Sequence, residues 1–153
     1  MTRVLLVAAA LPPRDALVEA LARLDPAAVT VDLAVVRSRA QDTAGLPVRE
    51  VHPMRRPRAA LRRRLPRGAV SPRWWWQAYQ AVAGRVVGRR GDLPLKAWYG
   101  ARWDPWVTRA AAEADVIAAL DKHAVYTVWK LARRHRGARA VLGVDAAVRA
   151  LTI

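Results

Sequence analysis

Apolar residues along this chain fall into short continuous runs separated by segments of different spacing. Four mainly apolar runs lie at residues 3–10, 29–36, 115–120 and 138–144. Runs of this length without regular alternation are typical of strands buried on both faces of a parallel sheet. Residues 48–51 alternate between apolar and polar side chains and predict one further short strand.

The segments between these runs carry helical patterns. Leu17, Leu21 and Leu24 recur at i, i+4 and i+7 within residues 14–24, which predicts a helix facing the core. Residues 122–136 predict a second helix, which Asp121 caps and Gly137 ends, with a core-facing stripe of Val125, Val128, Trp129 and Ala132.

Two further aspartates precede predicted helices. Asp104 stands before Pro105 and predicts the start of a helix that runs to about Ala114. Asp145 follows the last strand and predicts the cap of a short helix at residues 146–151.

The order of these elements predicts the fold class. Strands alternate with helices at both ends of a chain of 153 residues, which is the size of one domain. We therefore predict a single α/β domain over residues 1–153, with a Rossmann-like parallel sheet, helices on both faces and a helical insert at about 54–114. Inside the insert, residues 58–65 and 72–88 and a segment starting near Leu95 have helical character.

Charge is concentrated in that insert. The net charge is +15, and residues 51–110 hold fourteen basic and two acidic residues, whereas residues 1–50 are neutral. Six of the seven tryptophans lie in the same middle stretch. The residues expected to meet an anionic partner are Arg55, Arg56, Arg58, Arg62, Arg63, Arg64, Arg67, Trp74, Trp75 and Trp76.

Three interpretations of this basic, Trp-rich segment stay open at the level of the sequence. Arginine and tryptophan together suit an anionic membrane surface, because guanidinium attracts headgroups and indole sits at the interface. They equally suit nucleic acid, because arginine binds phosphate and tryptophan stacks on bases. In the third interpretation the tryptophans pack the insert onto the sheet and the arginines are solvated.

Candidate chemistry lies where strands end, because open α/β sheets bind ligands beyond the carboxyl ends of their strands. Asp121, Lys122 and His123 follow one strand, and His123 is a candidate general base with Asp121 as the acidic neighbour that orients it. The alternative is that Asp121 only caps the helix while its two neighbours face water. His52, which follows the short strand, is a weaker candidate because it stands alone in a loop.

The first strand is followed by Pro12, Pro13 and Arg14, and Arg14 could hold an anion at a helix N-terminus or simply be solvated. No GxGxxG or GxxxxGK[ST] motif is present, which argues against NAD or ATP. The chain has no cysteine and no histidines at ligand spacing, so neither a cofactor nor a metal site is predicted.

The N-terminal apolar run is interrupted at once by Pro12 and followed by an amphipathic helix pattern, which is unlike a signal peptide. No apolar run reaches the roughly 18 residues of a membrane span. We expect a cytoplasmic protein with peripheral contact at a membrane.

Two segments, RVLLVAAALPPRDALVEALARL at 3–24 and DVIAALDKHAVYTVWKLARR at 115–134, resemble the N-terminal domain of GT-B-fold glycosyltransferases of the actinobacterial type. The resemblance covers the chain except roughly 54–110. It implies that Pro12, Pro13 and Arg14 lie in the first loop of an acceptor site and that Asp121 and His123 lie in the later loop. Lys122, between Asp121 and His123, is a further candidate for substrate contact.

The resemblance also sets limits. Members of this family need a second Rossmann-like domain for the nucleotide sugar, so the chain is expected to bind the acceptor and to need a donor-binding domain or second subunit for transfer. Docking on an anionic membrane fits the insert. The alternative is a non-enzymatic basic module that binds nucleic acid or another polyanion.

Overall fold

The sheet contains five strands in the computed structural model, which describes residues 1–37, 43–54 and 93–151. The strands are β1 (Thr2–Ala10), β2 (Val29–Arg37), β3 (Glu50–Pro53), β4 (Val116–Ala119) and β5 (Arg139–Leu142). All neighbouring pairs are parallel, and their order is β3-β2-β1-β4-β5. The predicted Rossmann-like α/β fold is confirmed.

Helices cover both faces of this sheet. They are α1 (Arg14–Leu21), α2 (Leu93–Arg102), α3 (Pro105–Glu113), α4 (Val125–Arg134) and α5 (Val144–Leu151). One core cluster joins the sheet to residues of α2, α3 and α4, and the other joins it to residues of α1 and α5. The two layers explain why the strand sequences are apolar without alternation.

β1 is the central strand, and its side chains divide between the two cores. Leu5 and Val7 pack in the cluster with α3 and α4, whereas Val4 and Leu6 pack with α1. Burying each of these side chains contributes on the order of 1.5–3 kcal/mol. After β3, at one edge of the sheet, the next strand is β4, on the other side of β1. The strand order therefore reverses beside β1.

Helix α4 buries a different stripe from the one that its sequence predicted. Thr127, Val128 and Leu131 are buried, but Val125 is 41% exposed and Trp129 is 44% exposed. Val128 and Leu131 continue the i, i+4, i+7 spacing from a buried alanine just before the helix, so the apolar pattern fits two overlapping faces. Thr127, Val128 and Leu131 therefore face the sheet, and the indole of Trp129 stays outside.

The three predicted helix caps have different outcomes. Asp104 caps α3, since its side chain accepts a hydrogen bond from the Trp106 N–H. Asp121 caps a turn at residues 121–124, and α4 begins only at Val125. Asp145 lies inside the first turn of α5 rather than before it, and its carboxylate contacts Arg23.

Residues 38–42, 55–92, 152 and 153 lie outside the described residues. The predicted helices at 58–65 and 72–88 fall in this part of the chain, and so do the arginine cluster and Trp74–Trp76. Within the described ranges, no helix has the length and apolar character to cross a membrane.

Candidate functional site

The carboxyl ends of β1 and β4 meet where the strand order reverses, and the Asp121 carboxylate lies there. Its Oδ2 accepts hydrogen bonds from the N–H groups of Ala9 at 2.6 Å and Ala10 at 3.3 Å, at the end of β1. Its Oδ1 accepts from the N–H groups of His123 at 2.7 Å and Ala124 at 3.2 Å. One side chain therefore joins the central strand to the turn before α4.

This arrangement gives Asp121 a structural role. Both carboxylate oxygens bind backbone donors that would otherwise need other partners at the ends of a strand and a helix. No bond from Asp121 to the His123 ring is present; the contact is to the His123 backbone. The catalytic roles of Asp121 and His123 therefore stay predictions, and the structure brings the two residues together through the main chain.

The residues predicted to bind substrate lie on exposed or partly exposed positions around this edge. Pro13 precedes α1, Arg14 begins it, and Pro12 is half-buried. Gly45 has a positive φ of 73°, and a Cβ there would lie 3.1 Å from Arg14 Nη2, so Arg14 lies against the turn that leads to β3. Lys122 is exposed.

A second polar group pairs His52, near the carboxyl end of β3, with Asp104 at the start of α3. His52 Nε2 lies 2.9 Å from Asp104 Oδ2, and because a carboxylate only accepts, the ring donates from Nε2. The His52 ring also stacks on Trp106, with centroids 4.5 Å apart and planes 11° from parallel. Asp104 is 2% exposed, while the His52 side chain keeps 22% of its surface.

Local sequence explains how this pair is held. Pro105 starts α3, and Asp104 Oδ1 accepts from the Trp106 N–H at 3.0 Å, which leaves Oδ2 facing β3. The strand predicted at 48–51 is Glu50–Pro53, so His52 lies within β3 and not in the loop after it. His52 is in register with Ala34 of β2, which is itself in register with Val7 of β1. One aspartate therefore caps a helix and fixes an imidazole on a neighbouring strand.

An imidazole that a carboxylate orients can act as a general base. A buried carboxylate fixes the ring and its tautomer, the indole fixes its plane, and the neutral ring keeps an unprotonated Nδ1. The sequence showed Asp104 only as a cap and His52 only as a lone histidine. The remaining signal was a histidine next to a predicted strand and an aspartate starting a helix, and only the folded chain brings these residues, 52 positions apart, together.

The other buried carboxylate has a structural explanation. Asp32 accepts two hydrogen bonds from the Arg49 guanidinium, at 2.9 and 2.5 Å, and is in register with Glu50 at the beginning of β3. The hydrogen bond to Asp32 raises the pKa of Arg49 above its usual value. Among residues 1–37, 43–54 and 93–151, no three His, Asp or Glu side chains are grouped as metal ligands.

His135, just after α4, predicts an acid-sensitive component of stability. Its Nε2 is buried without a hydrogen-bond partner in the described structure, and burial together with Arg134 lowers its pKa from 6.5. The unfolded chain then binds more protons than the folded one below about pH 7, so stability falls as the pH drops through 6.5.

We expect His135→Gln to flatten the pH dependence of the melting temperature between about pH 7 and 5 relative to the parent protein. Thermal unfolding followed by circular dichroism at half-unit pH steps measures this. An unchanged slope in the variant would show that His135 is not the group responsible. His123→Gln is the control for replacing a histidine elsewhere in the chain.

Comparison with protein-family models, with characterised proteins and with solved structures gives no match to this chain.

Proposed function

We propose that this chain is the acceptor-side domain of a GT-B-like glycosyltransferase, which completes sugar transfer with a donor-binding domain or a second subunit. The observation that supports this most is the His52–Asp104 pair near the carboxyl end of β3, in a parallel sheet with the order β3-β2-β1-β4-β5. The carboxyl edge is where such sheets bind ligands. Since one fold hosts many activities, the pair supports the proposal more than the fold does.

In this proposal, His52 is the general base. The acceptor hydroxyl oxygen forms a bond to the anomeric carbon, the bond from that carbon to the nucleoside diphosphate breaks, and the hydroxyl proton moves to His52 Nδ1. Asp104 then stabilises the positive imidazolium through its contact with Nε2. The buried carboxylate gives His52 a stronger structural argument than His123, whose ring has no carboxylate within 4 Å in the described residues.

The nucleotide-sugar donor binds to the partner and not to this chain. The turn after β1 has the sequence Leu11-Pro12-Pro13, which lacks the glycines that let backbone N–H groups approach a pyrophosphate. Positioning the nucleotide sugar therefore falls to the donor-binding partner, and this chain supplies the base and the acceptor surface.

We expect His52→Ala to lower the rate of sugar transfer about a hundredfold, the usual contribution of a positioned base. Transfer is measured as release of nucleoside diphosphate from a panel of nucleotide sugars, with the chain combined with a candidate donor-binding partner. His123→Ala is the matched control and should keep the parent rate.

The opposite pattern, with His123→Ala inactive and His52→Ala active, would show that the prediction made from the sequence was right and this proposal wrong. A parent protein that binds no acceptor and transfers no sugar with any partner would remove the proposal altogether.

The alternative function, a non-enzymatic module for nucleic acid or another polyanion, stays a prediction. The arginine cluster and Trp74–Trp76 that would support it lie outside the described residues. Tight oligonucleotide binding with a steep salt dependence, and no preference for anionic vesicles, would favour it.

A further inference from the structure

Helix α4 presents aromatic and basic side chains on the face that it turns away from the sheet. Tyr126 is 37% exposed and Trp129 44% exposed, and Lys130 and Arg133 lie beside them on the same side of the helix. Trp98 of α2 contacts this group at its edge. We call these five residues the aromatic–basic face.

The rings of this face form a continuous surface. The Trp98 and Tyr126 centroids are 6.4 Å apart with the planes nearly perpendicular, and the Tyr126 and Trp129 centroids are 6.1 Å apart. Trp98 is partly buried and packs against the core, so it anchors the exposed rings to the domain. Large exposed apolar groups that are contiguous mark interaction surfaces more often than scattered ones do.

Cations lie over these rings. Lys130 Nζ is 5.2 Å from the Trp129 centroid and 5.5 Å from that of Tyr126, and the Arg133 guanidinium carbon is 4.8 Å from the Trp129 centroid. Each distance is within the range of a cation–π contact. Among residues 1–37, 43–54 and 93–151, neither Lys130 nor Arg133 has a carboxylate within 4 Å.

The charged residues of the surrounding sequence are all basic. Residues 122–144 contain six lysines and arginines and no aspartate or glutamate. Among the described residues, no ion pair neutralises the partly exposed Lys130 or the exposed Arg133. Charge complementarity points to an anionic partner.

We propose that the aromatic–basic face binds the surface of an anionic phospholipid membrane. Indole and phenol rings prefer the membrane interface, where the apolar ring enters the headgroup region and its polar atom stays hydrated. Lysine and arginine beside them bind lipid phosphates, and each contributes attraction to an anionic leaflet. The exposed Val125 at the start of the same helix adds apolar surface.

The positions of the cations favour lipid over nucleic acid. Single-stranded nucleic acid binds by stacking its bases on open aromatic faces. Here Lys130 and Arg133 already lie over the Trp129 ring, so a base would have to displace them. An interface needs only the ring edges to enter the headgroups and the cations to meet phosphate, which the observed arrangement allows.

This inference rests on the proposed function and extends it. The aromatic–basic face holds the domain on the membrane that contains the acceptor. Vesicle binding is measured without any sugar transfer. Membrane binding can therefore fail while His52-dependent transfer to a soluble acceptor remains, and transfer can fail while the vesicles still bind.

The test is co-sedimentation of the full chain with vesicles of phosphatidylcholine alone and of phosphatidylcholine mixed with phosphatidylglycerol. We expect binding only to the anionic vesicles, and weaker binding at high salt. Lys130→Gln with Arg133→Gln should lower the partition coefficient roughly 25-fold, about fivefold per cation. Tyr126→Ala with Trp129→Ala should lower it at least about tenfold.

The control pair is Arg23→Gln with Arg149→Gln, which removes two cations on the α1 and α5 side of the sheet. This variant should keep nearly all of the parent's vesicle binding, and circular dichroism checks that every variant is folded. Equal losses of vesicle binding in the control and the α4 variants would show that net charge alone causes the loss, and would overturn the proposal.

Two other results would also overturn it. One is a parent protein that ignores anionic vesicles, or whose binding is unchanged in both α4 variants. The other is preferential binding of a single-stranded oligonucleotide that the Tyr126→Ala, Trp129→Ala variant loses, which would assign the face to nucleic acid instead.

Discussion

We expect replacement of Asp121 by alanine to lower the free energy of unfolding by about 4 kcal/mol, because hydrogen bonds to a charged group contribute on the order of 1.5–3 kcal/mol each. The carboxylate accepts from four backbone N–H groups, at the end of β1 and in the turn before α4. Water can replace only part of this, since the Ala9 backbone is buried. For a domain of this size the melting temperature should fall by about 12 °C.

Asp145→Ala is the control for this prediction. Asp145 also follows a buried strand, but its carboxylate is exposed and its ion pair with Arg23 joins two exposed side chains. Such surface pairs contribute about 0–1 kcal/mol. Urea denaturation measures the loss of unfolding free energy in both variants. If both losses are similarly small, Asp121 does not hold β1 to β4. Asp121→Asn, which keeps one acceptor oxygen, should fall between the parent and the alanine variant.

We expect Asp104→Ala to lower the free energy of unfolding by about 3 kcal/mol, the range found when one partner of a buried pair is removed. The variant loses the cap on α3, and it leaves the His52 Nε2–H facing a site that is almost closed to water. Asp104→Asn keeps an acceptor oxygen for the cap and should lose less than the alanine variant.

A double-mutant cycle isolates the contact between the two side chains. His52→Ala, Asp104→Ala and the double variant should show a coupling free energy of about 1–2 kcal/mol, typical of residues in direct contact. Additive losses would mean that the cap alone explains Asp104. They would also remove the structural basis for His52 as an oriented base.

The fold could be predicted from the sequence because its information is local. A short apolar run such as RVLLVAAA, which prolines follow closely, is typical of a strand covered on both faces, and Leu17 and Leu21 of α1 are buried as their spacing predicts. The start of α3 at Asp104–Pro105 could likewise be predicted, because a helix cap depends on residues only a few positions apart.

The sites were harder to predict because they depend on contacts between distant residues. The Asp121 carboxylate was expected to cap a helix, but it also binds the backbone of β1, 112 positions earlier. Trp129 was expected in the core, but the sheet accepts Val128 and Leu131 instead. Apolar spacing on a short helix fits either face, and only the packing against β4 decides between them.

The tautomer of the His52 ring tests directly whether Asp104 orients His52 as a base. Long-range ¹H–¹⁵N NMR resolves it, since the chain has only three histidines. We predict that neutral His52 carries its proton on Nε2 and keeps Nδ1 unprotonated, and that Asp104→Asn weakens this preference. A proton on Nδ1, or a tautomer mixture unaffected by Asp104→Asn, would contradict the account.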